Sequence, residues 1–379
     1  MPEALVNGRI FTEHGLVTGR SVIIEQTRIS AIVAEGGVPP GMLTFDLEGG
    51  TLVPGFIDVQ VNGGGDRLFN DDPSVDTITA IGNAHRRFGT TGFLPTLISD
   101  DEAKIAAALE ATRAAIGAGV PGVLGVHVEG PILNPAKKGI HDPAMLRSIG
   151  QSEIDLLSTP VGGATVLTLA PETVPAETLR QLAEAGVIVC AGHTQATADE
   201  VFEALANGLH GFTHLFNAMS QLTAREPGVV GAALLDDSSW CGIIVDGHHV
   251  DPRVLKLALR AAPLRRFMLV TDAMPSVGGR KSFMIGGQAS EVVDGRCLNA
   301  AGTLAGSDLD MASAVRNAVA MLGLDLADAV AMASANPAAF LRLDHELGRI
   351  APGYRASLAL LDDNLEVMET WIDGARSGA

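Results

Sequence analysis

The feature that most constrains the fold is an apolar run that ends in a carboxylate, in residues 122–142 (GVLGVHVEGPILNPAKKGIHD). Residues 123–128 have the length and the β-branched side chains of a buried strand. The run stops at Glu129, and a Gly-Pro pair follows it. A carboxylate at the end of a buried strand needs a positive partner, which can be a metal ion, an Arg or a Lys. The stretch therefore predicts a strand with a charged site at its C-terminal end.

Several other apolar runs end in side chains that can bind metal. They are VIVCAGH with His193, GFTH with His214, FMLVTD with Asp272, and residues 241–245, which Asp246, His248 and His249 follow. In a parallel barrel all the C-terminal strand ends meet at one mouth, where active sites lie. The repeated pattern therefore predicts a barrel with a metal site at its mouth.

The middle of the chain alternates between strand-like and helix-like segments. The strand candidates are residues 56–61, 92–98, 123–128, 165–169, 187–191, 212–215, 242–245 and 267–271. Helical stretches lie between most of them, and the whole spans roughly 270 residues, so it fits a (β/α)₈ barrel of the TIM type. A doubly wound open sheet is the alternative. It would need a phosphate-binding fingerprint after its first strand, and Asn62-Gly63-Gly64-Gly65 lacks the GxGxxG spacing.

Four of the intervening segments read clearly as helices, namely 101–118, 175–185, 197–207 and 251–261. After the eighth strand, the Gly-rich residues 278–303 predict a hairpin excursion. Residues 307–321 predict the last barrel helix. Residues 326–340 predict one more helix, capped by Asp325 and interrupted near Asn336-Pro337.

Both chain ends have short strand-like pieces separated by turn residues. Such signals predict antiparallel hairpins in residues 1–52, and residues 347–373 show the same kind of strand and turn signals. We therefore expect one small β domain, of the sandwich kind, built from residues 1–52 and 347–379. The barrel domain would then occupy residues 53–346.

Composition excludes several classes of function. A hydrophobic content of 47% with 18% charged residues indicates a large folded core. The net charge of −18 argues against nucleic acid and anionic membranes as partners, because both require a basic surface. The three cysteines are widely spaced and form no zinc or disulfide pattern, which suits a reducing compartment. No apolar run is long enough to cross a bilayer, so we expect a soluble, cytoplasmic protein.

Glu129, His193 and His214 are the candidate metal ligands. One carboxylate and two imidazoles leave an open position for water in many hydrolytic zinc sites. Each residue alone could be an ordinary hydrogen-bonded side chain, but their shared position at strand ends favours the metal. Asp272 could take a proton from an activated water, or it could be a fourth ligand or a turn carboxylate.

Seven motifs connect the chain to a known family. They are PGFIDVQVNG, HVEGP, GHT, FTHLFNAM, REPG, DGHHV and LVTDA. In order and spacing they resemble the N-acetylglucosamine-6-phosphate deacetylases of the amidohydrolase superfamily, over nearly the whole chain. FTHLFNAM with the downstream REPG is the most specific part of the resemblance.

The resemblance implies a role for each matching residue. Glu129, His193 and His214 would bind the principal metal, Asp272 would be the catalytic base and acid, and His141 would contact the acetamide carbonyl. Asn217 and Ala218 would hold the sugar phosphate, His249 would contact the substrate, and Arg225 would bind the phosphate from the neighbouring subunit. The resemblance therefore also implies a homodimer. A guanidinium suits this last role because it grips phosphate with paired hydrogen bonds.

The first barrel strand differs from that of many amidohydrolases. Where they have His-x-His for a second metal, this chain has Gln60-Val61-Asn62, and amides are poor zinc ligands beside imidazole. The chain is similar to the single-metal deacetylases in this respect. We therefore expect one Zn²⁺ per subunit, with Fe²⁺, Co²⁺ and Mn²⁺ as alternatives, and with Gln60 and Asn62 at the substrate site.

The activity that the resemblance implies is hydrolysis of the acetamide of N-acetylglucosamine 6-phosphate to glucosamine 6-phosphate and acetate by metal-activated water. One alternative keeps the fold and the metal but acts on another N-acyl amino sugar, an N-acyl amino acid or a cyclic amide. The other is a barrel that serves only as a scaffold. A barrel that serves only as a scaffold would be expected to have lost its metal-site residues. Here Glu129, His193, His214 and Asp272 are all present.

Overall fold

The N-terminal segment forms seven short strands. The computed structural model describes residues 2–12, 15–300 and 302–377. The strands are β1 (Glu3–Val6), β2 (Arg9–Thr12), β3 (Gly15–Val17), β4 (Arg20–Glu25), β5 (Arg28–Ala34), β6 (Leu43–Asp46) and β7 (Thr51–Pro54). The β1–β4, β4–β5 and β2–β3 pairs are antiparallel, as expected, but β1 pairs with β6 and β2 with β7 in parallel. The expectation of hairpins alone was therefore wrong for two pairs.

The next ten strands contain the barrel. They are β8 (Phe56–Val61), β9 (Gly63–Gly64), β10 (Arg67–Leu68), β11 (Thr90–Ile98), β12 (Gly125–Glu129), β13 (Ala164–Leu169), β14 (Ile188–Ala191), β15 (Leu209–Phe212), β16 (Trp240–Ile243) and β17 (Phe267–Leu269). Eight of them form one parallel sheet in the order β17-β16-β15-β14-β13-β12-β11-β8, with β9 and β10 paired separately. The sheet curls into a nearly closed barrel, which confirms the predicted fold.

Seven further strands lie in the described residues after the barrel strands. They are β18 (Ser282–Ile285), β19 (Gln288–Val293), β20 (Arg296–Asn299), β21 (Leu304–Ser307), β22 (Leu358–Leu361), β23 (Val367–Ile372) and β24 (Ala375–Arg376). The first four make an antiparallel sheet, the expected excursion after the eighth barrel strand. The last three join β7, β2 and β3 in a six-stranded sheet. That sheet and β5-β4-β1-β6 share one apolar core that includes Leu5, Ile10 and Trp371.

Ten α-helices accompany the strands in the described residues. They are α1 (Val75–Arg86), α2 (Glu102–Gly117), α3 (Gln151–Leu157), α4 (Ala176–Glu184), α5 (Ala198–Ala206), α6 (Gly228–Leu235), α7 (Pro252–Ala261), α8 (Met311–Asn317), α9 (Leu326–Ala333) and α10 (Ala335–Phe340). Polar side chains cap several N-termini, as in Asp101 on Lys104 N–H and Asp325 on Asp328 N–H. None of the helices in the described part of the chain is both long and apolar enough to span a membrane.

Three predicted elements are displaced in the structure. The sixth barrel strand was predicted at 212–215 but is Leu209–Phe212, so His214 lies beyond its end. The helix predicted at 307–321 begins only at Met311, because residues up to Ser307 pair as β21. The helix predicted at 326–340 divides at Ser334, two residues before the expected break.

Candidate active site at the barrel mouth

A cavity of about 180 Å³ lies at the C-terminal mouth of the barrel. It is lined by Asn62, Ile98, Glu129, Gly139, Ile140, His141, His193, His214, Asn217, Ala218, His249, Asp272, Met274, Leu304 and Gly306. All the residues predicted for the site are in this lining except Gln60, which is buried next to it, and Arg225. The apolar members of the lining had no signal in the sequence that separates them from ordinary core residues.

Glu129, His193 and His214 form a tight cluster at one side of the cavity. The Oε1 atom of Glu129 lies 3.1 Å from His193 Nε2 and 2.9 Å from His214 Nε2, and the two nitrogens are 3.1 Å apart. Tetrahedral zinc with bonds of about 2.0–2.1 Å has neighbouring ligand atoms about 3.3 Å apart. The spacing and the donor types therefore fit a divalent metal ion.

The hydrogen bond on the far side of His193 sets its tautomer. The Nδ1 atom lies 2.7 Å from the backbone carbonyl oxygen of Lys137. A carbonyl can only accept, so Nδ1 carries the proton. The neutral ring then presents the lone pair of Nε2 to the cluster, as a metal ligand must.

Electrostatics within the cluster also favour a cation. Burial alone would raise the pKa of Glu129, but the adjacent imidazole groups of His193 and His214 hold that pKa well below its ordinary value. Burial alone would lower the pKa of His214, but the Glu129 carboxylate raises it. The Glu129 carboxylate thus favours positive charge at the point where a metal ion would lie.

Three of the polar residues at the mouth have left-handed backbone conformations. The φ angles are +50° at His193, +32° at His214 and +53° at Asp272. Each such non-glycine residue costs on the order of 1–3 kcal/mol and persists only where the surrounding structure imposes it. All three lie just beyond the ends of their strands, where the left-handed turn takes the chain out of the sheet direction. Strain of this kind clusters at functional sites.

Amide side chains hold Asp272 on the opposite side of the cavity. Asn62 Nδ2 donates to Asp272 Oδ1 at 2.6 Å. Gln60 Nε2 lies 3.2 Å from both Asp272 Oδ1 and Glu129 Oε2, and so connects the two carboxylates. Burial and the nearby charge of Glu129 raise the pKa of Asp272 to about 6, which suits a group that gains and loses a proton near neutrality.

His141 reaches the cavity from the loop that follows β12, and its ring lies 4.5 Å from that of His193. The backbone N–H of Ser99 donates to His141 Nδ1 at 3.2 Å. Burial, together with the neighbouring His193, lowers the pKa of His141 to about 3. The ring is therefore neutral with its proton on Nε2, the nitrogen that can donate a hydrogen bond to a substrate oxygen. Gly130 is required here because a Cβ atom would lie 2.3 Å from the Ser99 hydroxyl.

Sequence reasoning missed Ser99 and noted Asp246 at a strand end without giving it a role, yet both residues position the site. The Ser99 hydroxyl also donates to His141 Nδ1, at 2.7 Å, besides the backbone N–H of the same residue. Asp246 Oδ2 accepts from His249 Nδ1 at 2.6 Å and so orients that ring. Both follow a barrel strand, which was the available signal. The pairing partner of each could be identified only in three dimensions.

The residues predicted to hold the phosphate are divided between two places. Asn217 and Ala218 line the cavity, in the turn after His214. Arg225 lies farther along the same loop and is exposed. A turn held by the hydrogen bonds between Thr223 and Glu226 presents it outward. Among the described residues, no lysine or arginine lines the cavity.

His127 belongs to the barrel interior below the cavity. Its Nδ1 lies 3.0 Å from the Val59 carbonyl oxygen and its Nε2 lies 2.7 Å from the Thr168 hydroxyl. Burial lowers its pKa to about 4, so the ring is neutral. It joins strands β8, β12 and β13, and does not line the cavity.

The sequence matches two known protein families and several deacetylases. Residues 51–377 match the Amidohydrolase family and residues 4–52 match the NagA composite domain. The chain is 46% identical to the N-acetylgalactosamine-6-phosphate deacetylase of Shewanella sp. (strain ANA-3), over 87% of this chain and 84% of that protein. It is 34% identical to the N-acetylglucosamine-6-phosphate deacetylase of Haemophilus influenzae, over 99% of both.

A solved structure agrees with these matches over the full length. The crystal structure of N-acetylglucosamine-6-phosphate deacetylase from Pasteurella multocida superposes with a TM-score of 0.96 at 35% identity, covering 100% of both chains. The predicted resemblance and the predicted class of hydrolase are therefore confirmed. The chain belongs to the amidohydrolase family, and within it to the family of amino-sugar-6-phosphate deacetylases that these relatives represent.

Proposed function

We propose that this protein hydrolyses the acetamide of N-acetylglucosamine 6-phosphate, releasing acetate and glucosamine 6-phosphate. The observation that carries the proposal is that one cavity holds the Glu129, His193 and His214 cluster, the Asp272 carboxyl group and the Nε2–H of a neutral His141. These are the parts that amide hydrolysis requires: a cation site, a proton acceptor and a hydrogen-bond donor for the carbonyl oxygen.

Glu129, His193 and His214 would hold one Zn²⁺ per subunit. Bound there, the ion supplies Lewis acidity, which polarises the amide carbonyl and lowers the pKa of water toward neutrality. Fe²⁺, Co²⁺ and Mn²⁺ can occupy a site of the same donors. A single ion is favoured because Gln60 and Asn62 use their N–H groups on the carboxylates and offer no lone pair of comparable strength.

Asp272 removes the proton from the attacking water and returns it to the amine that leaves. Asn62 and Gln60 keep the carboxyl group of Asp272 in place, since both donate to Oδ1. His141 donates from Nε2 to the oxygen of the acetyl group as negative charge develops there. His249, oriented by Asp246, contacts the sugar, and Asn217 and Ala218 hold the phosphate end.

A second subunit would complete the phosphate site. The lining of the cavity has no lysine or arginine among the described residues, while Arg225 projects from the surface of the loop that begins at the cavity. We infer a homodimer in which Arg225 enters the partner's cavity. Its guanidinium binds phosphate with paired hydrogen bonds, and this binding energy positions a group remote from the reacting carbonyl.

Complementation between two inactive variants tests the shared site. Arg225→Ala and Asp272→Asn subunits are each expected to be poorly active on the phosphorylated substrate. Mixed and allowed to exchange, they form heterodimers with one intact site, so the mixture should recover about one quarter of the wild-type activity if association is random. No recovery, with exchange shown by mass spectrometry, would place Arg225 outside the partner's site.

N-acetylgalactosamine 6-phosphate is a second candidate substrate. The observation that favours it is the 46% identity to an N-acetylgalactosamine-6-phosphate deacetylase. The two sugars differ only in the orientation of the C4 hydroxyl, so the metal cluster, Asp272 and His141 would act identically on both.

Acetate release from three compounds tests the proposal. Zinc-supplemented protein is assayed with N-acetylglucosamine 6-phosphate, N-acetylgalactosamine 6-phosphate and N-acetylglucosamine. The proposal predicts the highest kcat/KM for the first and little turnover of the unphosphorylated sugar. A preference for the galacto compound selects the second candidate. Equal rates with and without phosphate contradict the phosphate site, and no release from any compound by metal-loaded protein contradicts the deacetylase.

We also propose that residues 1–52 and 347–379 form one small domain and residues 53–346 the barrel. The pairing of β7 with β2 and with β22 supports this division, because it joins both chain ends in one sheet. A cytoplasmic location is proposed as well, since all three cysteines are buried free thiols, as a reducing compartment favours.

A further inference from the structure

The barrel has a seam between its first and last strands. Among the described residues, β8 and β17 share no ladder of backbone pairs, and the two ends of the barrel sheet meet beyond β17, through an isolated bridge between Val61 and Ala273 and the backbone hydrogen bonds next to it. Gln60 and Asn62 lie on one side of this seam and Asp272 on the other. The groups that hold Asp272 therefore depend on how the seam is closed.

Asp58 is buried inside this seam with no exposed surface. Its Oδ2 atom lies 2.5 Å from the Thr271 hydroxyl. Its Oδ1 atom accepts from the backbone N–H groups of Gln60 and Thr271, at 3.2 Å and 3.3 Å. One carboxyl group therefore joins the first strand to the residue that immediately precedes Asp272.

Asp58 lies outside the reaction cavity, and burial raises its pKa to about 7 despite these hydrogen bonds. Burial of a carboxyl group between two strands costs free energy, because the group loses its contact with water. An apolar pair would close the seam at less cost. Packing therefore does not explain why a carboxyl group is present at position 58. Its hydrogen bonds to Thr271, the residue before Asp272, do offer an explanation.

Thr271 is held on both sides. Its hydroxyl and N–H meet Asp58, and its carbonyl oxygen accepts from the Ser307 hydroxyl at 2.5 Å. The next residue, Asp272, turns into the left-handed region, with its N–H bonded to the Gln60 carbonyl at 3.0 Å. A strained turn of this kind keeps its direction only if the residue before it is fixed.

We propose that Asp58 is a positioning residue for the hydrolysis, which acts through Thr271 to fix the backbone from which the Asp272 carboxyl group reaches the cavity. The inference rests on the proposed function, in which Asp272 moves the proton. It assigns to the Asp of PGFIDVQVNG a part in the reaction without contact to the substrate.

Substitutions at both ends of the hydrogen bond between Asp58 and Thr271 test this role in the zinc-loaded, full-length protein. Thr271→Val removes the hydroxyl and keeps the shape of the side chain, whereas Thr271→Ser keeps the hydroxyl. Thr271→Val and Asp58→Ala are expected to lower kcat by about 10–100-fold, the usual range for partners that orient a reacting group, with KM and zinc content unchanged. Thr271→Ser should retain most of the wild-type kcat.

The double variant and a structure separate positioning from a general loss of packing. If Asp58 acts through Thr271, Asp58→Ala with Thr271→Val should lose no more kcat than the worse single variant. A crystal structure of Thr271→Val should show the Asp272 carboxyl group displaced. The proposal would be overturned if the kcat losses of the two single variants multiply in the double variant. It would also be overturned if the Asp272 carboxyl group keeps its wild-type position in Thr271→Val. Thr271→Val also keeps it testable if Asp58→Ala does not fold.

Thr112→Val is the matched control. The Thr112 hydroxyl donates to the Ala108 carbonyl oxygen at 2.8 Å within α2, so this change removes a buried hydroxyl contact away from the seam and the cavity. It should leave kcat unchanged. An equal fall of kcat in Thr112→Val would overturn the inference. An inactive wild-type protein would contradict the proposed function instead, and is tested first.

Discussion

The two sides of the barrel mouth use opposite hydrogen-bonding chemistry. On the side of β12, β14 and β15, the Glu129 oxygen and two imidazole nitrogens converge within 3.1 Å of one another. On the seam side, where β8 and β17 end, the amide N–H groups of Gln60 and Asn62 converge on Asp272. The first side gathers acceptors, and the second gathers donors around one carboxylate.

The difference explains how one cavity can hold a cation and a free base side by side. Converging lone pairs repel one another unless a proton or a metal ion lies between them, so the first side attracts a cation. Amide donors stabilise a carboxylate without neutralising it, so Asp272 can stay available for proton transfer. We therefore expect substitutions on the two sides to have different effects on metal content and on kcat.

Loss of the metal side should have the largest effect. Glu129→Gln removes the charge from the cluster, so we expect metal binding to weaken strongly and deacetylation to fall to background. Metal content after dialysis and acetate release are the measurements. Treatment of the wild type with a chelator should have the same effect, reversed by added Zn²⁺. Full activity in a variant shown to be metal-free would contradict the assignment.

Loss of the base on the seam side should have the next largest effect. Asp272→Asn keeps the size of the side chain but removes proton transfer, which typically contributes about 10²–10⁴-fold, and kcat should fall within that range. Metal content should stay at the wild-type level, since the cluster is intact. A parallel loss of metal would mean that Asp272 is a ligand, and the two sides would then not be distinct.

The pH dependence of the wild type sharpens this prediction. Burial and Glu129 raise the pKa of Asp272 to about 6 in the metal-free protein. The positive charge of a bound ion favours the carboxylate and moves this pKa downward. Since the base must be ionised, kcat/KM should rise with pH and level off, with its acid limb at or below pH 6. An acid limb above pH 7 would exclude Asp272 as the base.

Conversion of the seam side into a second metal side should have the smallest effect on the existing metal cluster and a clear effect on metal stoichiometry. Gln60→His with Asn62→His replaces amide donors by imidazole ligands beside Asp272, so the metal content per subunit should rise above that of the wild type. Gln60→Asn with Asn62→Gln is the matched control and should leave it unchanged. Equal metal content in both double variants would show that more than ligand type separates the two sides.

Sequence reasoning located the polar residues of the mouth because the carboxyl ends of parallel strands meet there. It could place Glu129 at a strand end from the sequence alone, and β12 does end at Glu129. It misplaced the sixth strand by three residues because the apolar run continues through Leu215, which is buried although it lies outside the sheet. Periodicity detects burial, and burial extends beyond the strand.

What the sequence left open depends on contacts between distant segments. The partnership of His141 with Ser99 spans 42 residues and that of Asp58 with Thr271 spans 213. No local pattern marks such pairs. The helix predicted to start at 307 fails for the same reason: Ser307 pairs with Arg296 in β20, and its N–H bonds the carbonyl oxygen of Asp272. Tertiary pairing outweighs the helical preference of that segment.

The most direct test of the central contrast is a crystal structure of the zinc-loaded protein with anomalous diffraction at the zinc edge. The account predicts one anomalous peak per subunit, between Glu129, His193 and His214, and none between Gln60, Asn62 and Asp272. A second peak of comparable height on the seam side, or a single peak bound through Asp272 instead of the three-residue cluster, would contradict it.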